Sequence, residues 1–227
     1  GSLNVTATAD LTDGNATTIK GGTGTDTVTI TAKDGDDDTV KTSGFTKIEN
    51  IVLKDGGATA GDTLKVVPED SVVADGKSMT ITGSSMTSDD VEIDLSKEKD
   101  GAITAIGGSN ADLFVGSQSD LGDNLQGGAG NDTFTFATAQ LTSIDTVSGG
   151  AGTDIVTFSD AATVVDADFT NFTGVEELNG AASNHLTVTL GSLAAAAGLT
   201  TIDTVGSKTN PITIGSGFPN GFTYNLG

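Results

Sequence analysis

The feature that most constrains this chain is a turn that repeats. Residues Gly127-Gly128-Ala129-Gly130-Asn131-Asp132-Thr133-Phe134-Thr135-Phe136 return 22 residues later as Gly149-Gly150-Ala151-Gly152-Thr153-Asp154-Ile155-Val156-Thr157-Phe158. Each copy is a glycine turn, an aspartate and a short alternating apolar run. Each follows a lead-in with its own aspartate, Asp123-Asn124-Leu125-Gln126 before the first and Asp145-Thr146-Val147-Ser148 before the second. A third full copy, Gly21-Gly22-Thr23-Gly24-Thr25-Asp26-Thr27-Val28-Thr29-Ile30, stands near the start. Glycines admit positive φ angles and let the backbone turn tightly enough for its carbonyl oxygens to converge. The aspartate adds a hard anionic oxygen, and the set suits Ca²⁺, which takes about six to eight oxygen ligands. Alternation after the aspartate predicts a short strand with one buried face. The unit reads as turn, ligand, strand.

The pattern Gly-Gly-x-Gly-x-Asp-x-apolar-x resembles the calcium-binding nonapeptide of the RTX (hemolysin-type) family. The resemblance implies a right-handed parallel β-roll with consecutive strands on opposite faces and each ion held between one turn and the next on the same side. By that resemblance Asp26, Asp132 and Asp154 are metal ligands, with Gly21, Gly22, Gly24, Gly127, Gly128, Gly130, Gly149, Gly150 and Gly152 forming their turns. By the same resemblance Asp112, after the weaker turn Gly107-Gly108-Ser109-Asn110-Ala111, is a further ligand on the side of Asp132 and Asp154, and Asp123 and Asp145 are ligands on the other. Same-side separations are 20, 22 and 22 residues, against about 18 for two nonapeptides. The excess is expected to loop out, most visibly over residues 137–143. Asp123 and Asp145 lack full glycine turns before them.

Weaker copies extend the series. In Asp34-Gly35-Asp36-Asp37-Asp38-Thr39-Val40, Asp38 takes the ligand position and Val40 the buried one, a solvated acidic loop being the alternative. In Gly56-Gly57-Ala58-Thr59-Ala60-Gly61-Asp62-Thr63-Leu64, Asp62 is a further candidate. The segment Phe45-Thr46-Lys47-Ile48-Glu49-Asn50-Ile51 is echoed by Phe172-Thr173-Gly174-Val175-Glu176-Glu177-Leu178, at 19 and 18 residues from Asp26 and Asp154 respectively. A larger module is thus duplicated, and a similar segment recurs in bacterial surface-layer proteins that carry RTX repeats. Glu49 and Glu176 read as solvent-facing residues between buried Ile48 and Ile51 and between buried Val175 and Leu178, a ligand or catalytic role being the alternative. Thr80-Ile81-Thr82 and Val91-Glu92-Ile93-Asp94-Leu95 read as strands, of a lateral sheet or of further coils, and Lys97-Glu98-Lys99-Asp100 as an ordinary charged turn.

The expected fold is all-β: calcium-stapled parallel β-roll or β-helix-like repeats with additional strands, organised as a first module over residues 1–100 and a second over 101–227. Thr- and Val-rich runs between glycine turns support it. The one helix signal is Ser192-Leu193-Ala194-Ala195-Ala196-Ala197-Gly198, short, with serine in front and glycine behind. Ile202-Asp203-Thr204-Val205-Gly206 repeats a lead-in, but Ser207-Lys208-Thr209-Asn210-Pro211 replaces the glycine turn, and residues 218–227 read as a final strand, part of an export signal being the alternative.

With 31 acidic against 10 basic residues the formal charge is −21, which repels a phosphate backbone or an anionic lipid surface, so nucleic acid is not an expected partner. Without Ca²⁺ the periodic aspartates repel one another, so metal binding is expected to be coupled to folding. There is no cysteine, hence neither disulfide nor thiolate chemistry. No run approaches the roughly 18 apolar residues of a membrane span. Gly1-Ser2 reads as an expression scar and the chain as a fragment of something longer.

No His-Glu-x-x-His motif and no glycine-framed serine is present, and the sole histidine, His185, precedes an alternating strand. The glycine strings carry no phosphate-binding lysine. The expected function is therefore non-enzymatic: an extracellular or cell-surface Ca²⁺-binding structural protein, with Ca²⁺-dependent folding and self-association into a surface layer or matrix. The resemblance implies type I export. The alternatives are a binding module of a large secreted RTX adhesin, with a cell-surface glycan as possible partner, and the calcium-dependent C-terminal domain of a secreted enzyme.

Overall fold

The computed structural model describes residues 4–8, 18–33, 35, 37–57, 61–180, 186–204, 212–215, 218 and 222–225. Short strands alternate with turns along this range, and their sequence pattern sets their faces. In Thr27–Thr31, Val28 and Ile30 are fully buried and the threonines between them are half-exposed, as the two-residue period of a strand requires. A strand with one apolar face cannot bury it alone, so the coils stack.

Two parallel sheets result. The first runs through Asn4–Thr8, Thr27–Thr31, Asn50–Lys54, Ser78–Thr82, Ala102–Ile106, Asn124–Ala129, Thr146–Ala151 and Phe172–Thr173. The second runs through Asp38–Lys41, Thr63–Val67, Asp90–Asp94, Leu113–Val115, Thr133–Phe136, Ile155–Phe158, Glu177–Gly180, Thr201–Asp203 and Thr223–Asn225. The chain passes from one sheet to the other at each half-coil, which makes the molecule a parallel β-solenoid of the roll or helix kind. The strands at 80–82 and 91–95 are coils of this same ladder. Both sheets continue through position 100, since Ser78–Thr82 pairs with Ala102–Ile106 and Asp90–Asp94 with Leu113–Val115.

The core lies between the sheets. Phe114 stacks on Phe134 with ring centroids 5.1 Å apart and planes within 12°. Phe136 faces Phe158 in register, and both are buried against Leu125 and Val147 of the same core. The residues in excess of a regular nonapeptide pair are spent in the connection after Phe136, where Gln140 donates to the Ala137 carbonyl and Leu141 folds back onto the core.

A third parallel sheet of Ala162–Val165, Leu186–Leu190 and Ile212–Ile214 is contributed by the last coils, each of its strands following one of the second sheet, and its apolar residues join the same buried cluster. The expected helix is present at Ser192–Ala197 and ends on Gly198 at φ +110°. Ser192 does not cap it. Gly191 occupies the cap position, and the acceptor comes from another coil: Asp166 receives the N–H groups of Gly191 (2.8 Å) and Ala194 (2.9 Å). A strand at Thr223–Asn225 pairs with Thr201–Asp203. His185, Asp34, Asp36 and residues 207–211 lie outside the described residues.

Candidate metal centre

The repeated aspartates leave the strand starts and point along the solenoid, each onto the backbone of the coil before it. Asp154 Oδ1 accepts the N–H of Asp132 at 2.8 Å, Asp132 Oδ1 accepts that of Asp112 at 2.9 Å, and Asp112 Oδ1 accepts that of Val91 at 2.7 Å. On the other side, Asp145 Oδ1 accepts from Asp123 at 2.8 Å and Asp123 Oδ1 from Ile103 at 2.9 Å. The two same-side sets therefore exist as columns. All five carboxylates are buried. The sequence pattern missed the use of one oxygen of each as a coil-to-coil acceptor, because spacing alone does not distinguish an N–H acceptor from a metal ligand.

The second oxygens separate the sites. Asp26 Oδ2 accepts the Gly22 N–H at 2.6 Å, and Asp112 Oδ2 likewise accepts from Gly108. Asp132 Oδ2 and Asp154 Oδ2 are buried with no hydrogen-bond partner. Each faces the first glycine of its own turn and a carbonyl of the next coil. A Cβ placed on Gly149 would stand 2.4 Å from Asp154 Oδ2 and 1.8 Å from the Gly174 oxygen. On Gly127 it would stand 2.1 Å from Asp132 Oδ2 and 2.5 Å from the Gly149 oxygen. Only glycine leaves this space free, and two oxygens converge on it with no donor between them. Burial pushes the Asp132 carboxyl up to about 7, with the charges of Asp112 and Asp154 acting in the same direction. Burial likewise raises Asp112 to about 6 and raises Asp154 and Asp123. A carboxylate resisting ionisation for lack of a counter-charge fits a hard cation: Asp132 with the Gly127–Gly130 turn, and Asp154 with the Gly149–Gly152 turn, would hold it.

Glu49 and Glu176 are not the solvent-facing residues expected. Both are half-buried, and each tops a column: Glu49 Oε2 accepts the Asp26 N–H at 2.8 Å, and Glu176 Oε2 accepts the Asp154 N–H at 2.8 Å. The duplication extends to register, with Phe45 opposite Ile19 and Phe172 opposite Val147, each two residues before a turn glycine. Lys47 (φ +56°) takes the left-handed conformation that Gly174 (φ +60°) takes in the echo. In both, the carbonyl of that residue comes within 1.8 Å of the Cβ position of the turn glycine, Gly21 or Gly149.

The weaker candidates also accept backbone N–H groups, Asp38 within its own turn and Asp62 from the preceding coil. Asp38 is buried and its Oδ2 accepts the Lys33 N–H at 2.6 Å, with Val40 buried as expected. Asp62 is half-buried and accepts the Gly35 N–H at 2.7 Å. A cleft of about 470 Å³ opens next to Glu49, lined also by Ile48, Val72, Val73 and Lys77.

Among the described residues, one group of three carboxylates brings its ligand atoms within 4.8 Å of one another and could hold a metal ion: Asp70, Glu98 and Asp100. The sequence reading of residues 97–100 as an ordinary charged turn is corrected here, because Glu98 is fully buried. Its flanking lysines hide this in the sequence. No sequence signal marks it: the turn folds back so that the N–H groups of Lys99, Asp100 and Gly101 reach Glu98 Oε1. Among the described residues no helix is long and apolar enough to cross a membrane. Compared with models of protein families, with curated proteins and with solved structures, the chain matches none.

Proposed function

We propose that this chain is a Ca²⁺-stapled structural module of the RTX kind, part of an extracellular bacterial surface layer or matrix, with no catalytic role. The observation that carries the reading is the pair of buried, partnerless oxygens Asp132 Oδ2 and Asp154 Oδ2, each facing a carbonyl across a space that only glycine keeps open. When bound, Ca²⁺ supplies the missing positive charge between successive coils. The chain's residues do the rest: Asp132 and Asp154 present one oxygen each, their Oδ1 atoms hold the previous coil, and Gly127 and Gly149 keep the space clear. Hard oxygen donors without nitrogen or sulfur favour Ca²⁺ over transition metals. Millimolar Ca²⁺ outside cells fills such sites more readily than cytosol does. A formal charge of −21 keeps free chains apart until Ca²⁺ screens and bridges them, which accounts for assembly on export.

The test is a Ca²⁺ titration of EDTA-treated protein followed by circular dichroism and light scattering together. The expected outcome is a gain of β signal, followed by a concentration-dependent rise in scattering. A chain equally β-rich and monomeric at every Ca²⁺ concentration would sink both the folding and the assembly parts of the proposal.

A further inference from the structure

The Asp70, Glu98 and Asp100 carboxylates lie apart from every glycine turn. Glu98 and Asp100 sit between the strands Asp90–Asp94 and Ala102–Ile106, and Asp70 sits on the preceding coil, between Thr63–Val67 and Ser78–Thr82. Glu98 is 0% exposed. Its Oε1 is saturated by the backbone N–H groups of Lys99 (3.1 Å), Asp100 (3.1 Å) and Gly101 (2.7 Å). That arrangement fixes the carboxylate plane and leaves Oε2 buried with no hydrogen-bond partner, and Asp70 Oδ1 is buried and partnerless as well. Asp100 is exposed and opens the cluster to water.

An acceptor without a donor in a buried position is costly, and two beside a third carboxylate add like-charge repulsion. The nearest ammonium does not remove the conflict. Lys99 Nζ is 3.9 Å from Asp70 Oδ2, and its side chain is 61% exposed, so water screens it. What the geometry lacks is a compact positive charge that several oxygens can share.

We propose that Asp70, Glu98 and Asp100 form a binding site for a hard divalent cation, Ca²⁺ by donor type, which pins the connection at residues 68–77 to the turn at 95–101 of the next coil. All three donors are carboxylate oxygens within 4.8 Å of one another, and the exposed side of Asp100 admits the waters that complete the shell. This site is built without glycine repeats, so it goes beyond the function proposed above and does not depend on it.

The competing explanation is a proton shared between Glu98 and Asp70. Glu98→Gln separates the two. Its amide oxygen can still accept from residues 99–101 while its NH₂ replaces the partnerless Oε2 by a donor, so the variant is expected to fold without an ion. Ca²⁺ bound per chain is measured by equilibrium dialysis on the whole protein, for the parent, E98Q, the exposed-site variant D100N, and D132N/D154N. The expected result is the loss of one ion in E98Q, weakened binding of that ion in D100N, and its retention in D132N/D154N. Unchanged stoichiometry in E98Q overturns the proposal in favour of the shared proton. Ion loss in D132N/D154N bears on the glycine turns alone, so the two readings fail separately.

Discussion

Gly152 stands at φ +146°, and a Cβ there would lie 1.7 Å from the Gly130 oxygen. Gly152→Ala is therefore expected to cost about 2 kcal/mol through backbone strain alone, seen as a lower midpoint in urea unfolding. Lys47 presents the opposite case, a side chain in a left-handed conformation where the echo of its segment carries Gly174. Lys47→Gly should stabilise the protein by about 1 kcal/mol. The aspartates set a pH dependence. Asp132 and Asp112 are raised by burial to about 7 and about 6 in the folded chain, above the ordinary carboxylate value of about 4 in the unfolded one. The folded state then binds more protons between those values, so metal-free stability is full below about pH 4 and falls as pH rises towards 7. Thermal unfolding in EDTA from pH 5 to pH 8 should show a falling Tm, and Ca²⁺ added near pH 7 should release protons into a weakly buffered solution. The residue types at these positions were legible in the sequence because glycine and aspartate recur at fixed spacing. Their second role as backbone acceptors was not, since it depends on which coil lies beneath.

At the scale of elements, the alternating runs identified the strands, and the alanine run identified the helix at Ser192–Ala197. The helix cap was hidden because its acceptor, Asp166, is distant in sequence and meets Gly191 and Ala194 only through stacking. Asp166→Ala should cost about 1 kcal/mol by the usual loss of a capping carboxylate, with a lower Tm and little change in Ca²⁺ binding. The Phe-Thr-x-x-Glu segments were visible as duplicates, yet a period-two pattern would send Glu49 and Glu176 outward. The structure bends them instead onto the Asp26 and Asp154 amides, at the start of the coil following each turn. Glu98 was concealed for a related reason. A run of alternating charges reads as solvated, whereas the turn folds its own backbone N–H groups onto the buried Glu98 carboxylate.

For the whole molecule, a charge of −21 meets a fold that lines carboxylates up in columns. Burial favours the protonated forms of Asp112 and Asp132 in the metal-free chain, and under the proposed function Ca²⁺ would take over that role at neutral pH. Asp→Asn at positions 132 and 154 discriminates well, because the amide oxygen keeps the coil-to-coil bond while the NH₂ can donate to the facing carbonyl. The most direct measurement is the Tm of EDTA-treated parent and D132N/D154N proteins at neutral pH, each with and without millimolar Ca²⁺. The parent is expected to gain strongly from Ca²⁺, and the double variant to start at or above the metal-free parent and gain much less. A parent whose Tm ignores Ca²⁺, or a variant that gains as much as the parent, would contradict the claim that cations between the glycine turns hold this solenoid together.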